Sequence, residues 1–387
     1  MKAISSYVEG LIEDLISKGA IKTAAVEAAF RSVQRHLFLE SFRLPGANKQ
    51  GLVIVSDEME QETWKTIYSD RSLVTRFKKT AASSSSSEPS LMARMLEQLE
   101  LRSSGLATLE IGLGTGYNAA LLAEIVGAQH LVTSLDIQVD VVEQTHRLLK
   151  KAGYSEIKVV CCDGFKGFSQ NAPYDRILAT VGCMDLSPCW IDQLATGGLI
   201  LFPLHHAGWT PLLKVNKNKE NLITGSIVGI SGFMPIDTVD EKVDIWPSRL
   251  DIQPVLTQME KLPLFDDLEE VHASKPLVWN SFPKDFYYFL SIKDFRTFFK
   301  CRPPGYGLYD NSRGIVFVSP SNKCVFLSGE MSLYTDFQRI YREWKSMKMP
   351  SMGDYHISFV PISQKKVNNN YVSLIRRKFF DQVMSLQ

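Results

Sequence analysis

Nowhere does the chain hold the roughly 20 uninterrupted apolar residues that a membrane-spanning helix needs. Its first residues, MKAISSYVEGLIEDLISKGA, place Glu9, Glu13 and Asp14 among the apolar positions, which excludes a signal-peptide core and suits an amphipathic helix. The six cysteines (Cys161, Cys162, Cys183, Cys189, Cys301, Cys324) form no CxxC pair and are too sparse for a disulfide framework, so reduced, mostly buried thiols and no metal site are expected. An excess of either charge is also missing. Lys and Arg total 43 against 42 Asp and Glu, a formal net charge of +1, so no overall field draws the chain to nucleic acid or to an anionic membrane. Together these absences point to a cytoplasmic protein that recognises its partners locally.

What is present is apolar material in quantity. Hydrophobic residues make up 45% of 387 residues, too much for disorder and too long a chain for one ordinary core, so two domains are expected. Residues 3–43 predict two helices, with Val8, Leu11, Ile12 and Leu15 at helical spacing and then Val26, Ala29, Phe30 and Val33. A run of five serines, Ser83–Ser87, is followed by Glu88 and Pro89; such a run alone predicts a flexible linker, but Pro89 suits the first position of a helix carrying Leu91, Met92, Met95, Leu96 and Leu99.

From 106 to 235 strands and helices alternate, with apolar runs at Leu106–Ile111, Leu131–Leu135, Ile157–Cys161 and Ile177–Val181 and helical patterns between them. That alternation predicts a doubly wound α/β fold with a mostly parallel sheet. Three further strands, Gly198–Leu204, Pro211–Val215 and Leu222–Ile230, have only turns between them and predict an antiparallel edge. We therefore divide the chain into a helical, substrate-access region (1–80), a cofactor domain (81–235) and a smaller C-terminal α+β accessory domain (236–387). In the last, Trp279, Phe282, Phe286, Tyr287, Tyr288 and Phe289 predict an aromatic core, with strands near 315–318 and 325–327 and a helix over 333–347.

The segment LEIGLGTGYN (109–118) carries the chemistry. Gly112, Gly114 and Gly116 follow a predicted strand and open a predicted helix, where backbone can turn tightly and meet a ligand at the positive helix end. A dinucleotide fingerprint needs its third glycine at position 117, which is Tyr; with Glu110 the pattern reads ExGxGxG and favours an adenosyl amino acid over a pyrophosphate. Asp136 ends the next predicted strand, where a carboxylate accepts from two ribose hydroxyls, or simply caps a helix. Asp163 ends the third, positioned for an adenine amino group or as a plain turn residue. With their neighbours Tyr117, Asn118, Ile137 and Gly164 these form the candidate cofactor set. His205 and His206 follow a strand of the same sheet and are weaker candidates for the active edge.

The run from Val33 to Val228 resembles the protein-L-isoaspartate (D-aspartate) O-methyltransferase family, in the blocks VQRHLFLE, YSDRSLVT, LEIGLGTGYNAALLAEIVG, CCDGFKGFSQNAPYDRILATVG and LATGGLILFPL. The resemblance implies the Rossmann-like fold of class I S-adenosylmethionine-dependent methyltransferases, and methyl transfer to an aspartyl or isoaspartyl carboxylate of a protein or peptide. It also implies a substrate-facing serine two positions before a proline, which is Ser87 here, with Ser86 beside it as the candidate catalytic pair. The serines at 83–86 replace the Gly-Gln-Thr-Ile stretch usual in the family. The extension from 236 resembles the tails of enzymes that mature ribosomally made peptides. Two further readings remain: a small-molecule methyltransferase sharing only the cofactor domain, and a non-catalytic peptide-binding protein that retains the fold.

Overall fold

The structure is a computed structural model. It describes residues 2–43, 51–56, 58–78, 81–101, 105–207, 209–238, 259–263, 284–301, 304–319, 324–364 and 371–386. The chain divides into two compact units that are not consecutive stretches: one is formed by 1–203, 213–222 and 231–242, the other by 204–212, 223–230 and 243–387. Among the described residues no helix is long and apolar enough to cross a membrane.

The first unit opens with helices α1 (Lys2–Ser17) and α2 (Ala24–Ser32), as the apolar spacing predicts. Leu11, Ile12, Leu15, Val26, Ala29 and Phe30 are buried along their inner faces. Thr23 caps α2 by accepting from Val26 N–H at 3.4 Å. The short strands β1 (Ser41–Phe42) and β2 (Val53–Ile54) pair, and α3 (Gln61–Ile67) leads into a hairpin of β3 (Leu73–Lys78) and β4 (Ala81–Ser86). The serine run is therefore strand and not linker: Ser85 stands opposite Val74 and Ser86 opposite Leu73. Serine has little intrinsic preference for strand, so cross-strand pairing decides its conformation. Helix α4 (Pro89–Gln98) starts at the predicted proline.

The sheet follows: β5 (Thr108–Ile111), α5 (Tyr117–Val126), β6 (Val132–Asp136), α6 (Val139–Lys151), β7 (Lys158–Cys161), β8 (Tyr174–Ala179), α7 (Pro188–Gln193), β9 (Leu194–Pro203) and β10 (Pro211–Lys217). Strands β5 to β9 are parallel, in spatial order β7-β6-β5-β8-β9. Numbered within the sheet this is 3-2-1-4-5, with the order reversing between β5 and β8, so the crevice at their carboxyl ends is where a ligand collects. The next strand, β10, follows a connection too short for a parallel crossover, which gives the predicted antiparallel edge.

In the second unit β11 (Ile223–Ile230) pairs antiparallel with β17 (Tyr355–Pro361), β17 with β19 (Phe380–Leu386), and β19 with β18 (Ser373–Arg376). A separate antiparallel sheet runs β12 (Glu260–Pro263), β16 (Cys324–Gly329), β15 (Gly314–Ser319), β14 (Pro304–Asp310), β13 (Thr297–Cys301). Helices α8 (Lys284–Lys293) and α9 (Met331–Ser346) complete it. Phe286, Tyr287, Tyr288 and Phe289 are fully buried in α8, and the Phe286 ring meets Tyr341 edge-on at 5.0 Å. This is the predicted aromatic core; Trp279 and Phe282 lie outside the described residues. The prediction of mostly buried thiols holds for Cys183 and Cys324, whereas Cys161 is exposed and Cys162 and Cys189 are half-buried. Cys161 lies on β7, the last strand of the parallel set, which leaves it open to solvent.

Candidate active site

The loop after β5 is held by its own backbone and by two threonines. Gly112 and Leu113 N–H donate to Leu135 O at 2.9 and 2.8 Å. Thr180 Oγ1 donates to Gly112 O at 2.7 Å and Thr145 Oγ1 to Gly114 O at 2.6 Å. Gly112 has φ +99°, and a Cβ there would lie 2.6 Å from Thr180 Oγ1; at Gly116, φ +80°, it would lie 2.6 Å from Thr145 Cγ2. Only glycine meets both demands. Gly116 caps α5, so the unpaired N–H groups of the first helical turn sit at the end of this loop.

Asp136 terminates β6 beside the loop. Its Oδ2 accepts from Gly114 N–H at 3.2 Å and its Oδ1 from Gln138 N–H at 3.0 Å. Burial pushes its pKa above the ordinary aspartate value, while these backbone donors pull it back. Cys162 N–H donates to Asp136 O at 3.0 Å, which brings the end of β7, and with it Asp163, to the same sheet edge. Asp163 accepts from Phe165 N–H at 2.9 Å and so caps the short turn Gly164–Lys166. Gly164 is packed so closely that a Cβ would lie 2.5 Å from Ile111 Cγ2, and Ile137 follows Asp136 half-buried on the same edge.

Glu110 stands one step behind the loop. It is fully buried, accepts from Asn118 Nδ2 at 2.6 Å and from the Ser134 hydroxyl, and burial raises its pKa to about 7. Its carboxyl group ties β5 to α5 and β6. Asn118 has its other polar side-chain atom, Oδ1, buried without a partner among the described residues. The residues fit an adenosyl amino acid: the glycine loop leaves room for close approach, Asn118 Oδ1 is an unused acceptor beside a helix N-terminus, and Asp136 and Asp163 offer carboxylates along one edge.

The serine strand closes the site from the other side. A Cβ on Gly114 would lie 3.3 Å from Ser85 O and 3.9 Å from Ser84 Oγ, so β4 rests against the loop where the side chain is missing. Gln138 Nε2 donates to Ser83 O at 3.0 Å. The exit of the strand is gripped by Arg35, a fully buried guanidinium that donates to Ile67 O, Ser69 O and Arg71 O at 2.9, 3.1 and 2.8 Å. It also donates to Ser86 Oγ, Ser86 O and Ser87 O at 3.1, 3.2 and 2.9 Å. Burial lowers its pKa to about 10, still far above neutrality, so the cation persists.

Three sequence-based assignments change. Tyr117 puts its ring into a core with Phe30 and Phe38, at 6.2 and 5.7 Å, and so brings to the loop only its backbone. Ser86 is buried with its hydroxyl accepting from Arg35 Nε at 3.1 Å, which gives it a structural contact and favours Ser87 as the serine candidate. His206 is buried in the second unit between Leu204 O and Gln382 Oε1, a core histidine, and His205 belongs to the same unit. Sequence reasoning missed Arg35 and Gln138. A hint for Arg35 exists: it is a charge set between Val33 and Phe38, both buried.

A sequence profile of the protein-L-isoaspartate(D-aspartate) O-methyltransferase family matches residues 6–241. The protein-L-isoaspartate O-methyltransferases of Ignicoccus hospitalis and Pyrococcus horikoshii are 30% and 32% identical over 227 residues, 58% of this chain and 95% and 90% of theirs. A solved structure described as protein-L-isoaspartate O-methyltransferase shares the fold over 91% of this chain and 96% of its own, at 20% identity and a TM-score of 0.52. The chain belongs to the protein-L-isoaspartate(D-aspartate) O-methyltransferase family and is an S-adenosylmethionine-dependent methyltransferase.

Proposed function

We propose that the protein methylates the α-carboxylate of isoaspartyl residues in protein and peptide substrates, a repair-type activity. The observation that supports this reading is the serine strand laid against the glycine loop, with Ser85 O 3.3 Å from where a Gly114 Cβ would lie and Ser87 just past the strand's end. A carboxylate is ionised at neutral pH, so the acceptor needs no general base. The bound cofactor supplies an electrophilic sulfonium methyl group. Held by the glycine loop, Asp136 and Asp163, it would give up its methyl group to a carboxylate oxygen and leave as a neutral thioether, with no proton transferred. The protein's part is to hold the acceptor in line, with Ser87 Oγ–H as one donor to the spare carboxylate oxygen.

The C-terminal unit does not by itself favour peptide maturation. A solved relative named as a protein-L-isoaspartate O-methyltransferase shares its fold over 91% of this chain, a span too large to omit that unit. We assign the unit to substrate recognition, on the ground that it adds a second folded unit to a conventional methyltransferase domain.

Incubation with methyl-labelled cofactor and matched isoaspartyl and aspartyl peptides tests the function. Base-labile label on the isoaspartyl peptide is expected. Label confined to the aspartyl peptide would move the assignment to maturation, and label on neither, with cofactor binding intact, would sink the carboxylate reading.

A further inference from the structure

Arg35 does more than fill a gap. Among the described residues its guanidinium has no carboxylate as a hydrogen-bond partner; it is satisfied by five backbone carbonyls and one hydroxyl. Three of the six contacts belong to two consecutive residues, Ser86 and Ser87. Evolution of such a site for stability alone is hard to argue, since a buried cation is costly and an apolar side chain of similar volume often serves as well.

The geometry of the trans peptide unit shows what the grip does. In each planar unit the N–H points opposite to the C=O. Arg35 draws Ser86 O and Ser87 O to itself, at 3.2 and 2.9 Å, and so the N–H groups of Ser87 and Glu88 point away from it. For the Ser87 amide the direction follows also from the pleat of the strand, whose last residue is Ser86; the Ser87 carbonyl then breaks the alternation by turning to Arg35, which aims the Glu88 amide the same way. The carbonyl of one strand residue and the N–H of the residue two further on lie on the same edge. Ser85 O faces the glycine loop, 3.3 Å from the missing Cβ of Gly114, and Ser87 N–H therefore faces it too. Neither amide has an acceptor among the described residues. Two adjacent amides aimed the same way form a small anion-binding concavity.

We propose that Arg35 is a positioning residue, whose grip on the Ser86 and Ser87 carbonyls aims the Ser87 and Glu88 amides at the carboxylate of the acceptor. This rests on the carboxyl-methyltransferase reading above. The amides hold the oxygen that is not methylated, and the buried cation behind them polarises both peptide units toward the anion. Arg35 itself touches neither substrate nor cofactor.

Two pairs of variants test it. Arg35→Lys keeps the charge but has no planar fork with which to reach both carbonyls and the 67–71 turn. Glu88→Pro removes one of the two amides; Glu88 has φ −60°, which proline adopts without strain, and Glu88→Ala is the reference for the lost carboxylate. The readouts are kcat/KM for an isoaspartyl peptide at saturating cofactor, and the affinity for S-adenosylhomocysteine by calorimetry. In Arg35→Lys, and in Glu88→Pro relative to Glu88→Ala, kcat/KM should fall at least about tenfold, with cofactor affinity within about twofold of wild type. Unchanged peptide turnover in both overturns the proposal. A parallel loss of cofactor affinity and turnover overturns it as well, because Arg35 would then only support the fold. A wild-type enzyme that binds cofactor but leaves isoaspartyl peptides unmethylated defeats the carboxylate reading first, and this inference with it.

Discussion

Asp136 accepts two backbone N–H bonds, from Gly114 and Gln138, and with two oxygens it retains lone pairs for a ligand. Asp136→Asn keeps the shape but removes the charge and turns one acceptor into a donor. S-adenosylhomocysteine affinity should drop about tenfold to a hundredfold in calorimetry, with the thermal transition little changed. An unaltered affinity would contradict the ribose role. Glu110 makes a different prediction. Burial raises its pKa from 4.5 to about 7 in the folded chain, so between these values the folded state holds a proton that the unfolded state has released. Its contribution to stability is thus fully present below about 4.5 and is lost as pH rises through about 7. Denaturation midpoints of the wild type should show this decline, and Glu110→Gln should flatten it; identical pH profiles would place the buried proton elsewhere.

At the level of elements, the two hairpin partners β3 and β4 behave differently from the sheet strands. A parallel strand such as β5 is apolar throughout and announces itself, whereas β4 is built from Ala81, Ala82 and serines and owes its form to β3, the glycine loop and Arg35. Strand β11 has a comparable dependence. Its residues Ile223, Thr224 and Gly225 pair with Phe359, Ser358 and Ile357 of β17, more than a hundred residues later. Cutting the chain after residue 235 removes that partner and leaves an open edge on a strand that buries Ile223 and Ile227. The truncated protein should aggregate in light scattering. A monodisperse product that still binds cofactor would show that the edge is tolerated.

For the whole molecule, a formal net charge of +1 predicts weak long-range steering. Turnover of a peptide without charged flanks should change by less than about threefold between 0.05 and 0.5 M salt, as read from kcat/KM. A tenfold fall would reveal a local basic surface that the balanced total conceals. The same balance leaves recognition to short-range geometry, in keeping with the proposed site of backbone groups, a serine and two strand-end carboxylates.

The glycine loop, the alternating strands and the placement of Asp136 and Asp163 at strand ends were all legible in the sequence, because each depends on local spacing: apolar runs mark buried parallel strands, and residues just past them must lie on one sheet edge. What needed the tertiary structure depends on partners far along the chain. That Glu110 is enclosed by Ser134 and Asn118, and that Phe30 and Phe38 take up the Tyr117 ring, follows only from the fold. The serines, which Pro89 ties to an ordered start, show themselves as strand only when β3 pairs with them, and the late strands β17 to β19 go unread because antiparallel pairing is non-local and weakly coded in any one segment. Sequence by itself determined the cofactor half of this enzyme; only the folded chain decided how its serine strand, held from behind by Arg35, meets that half.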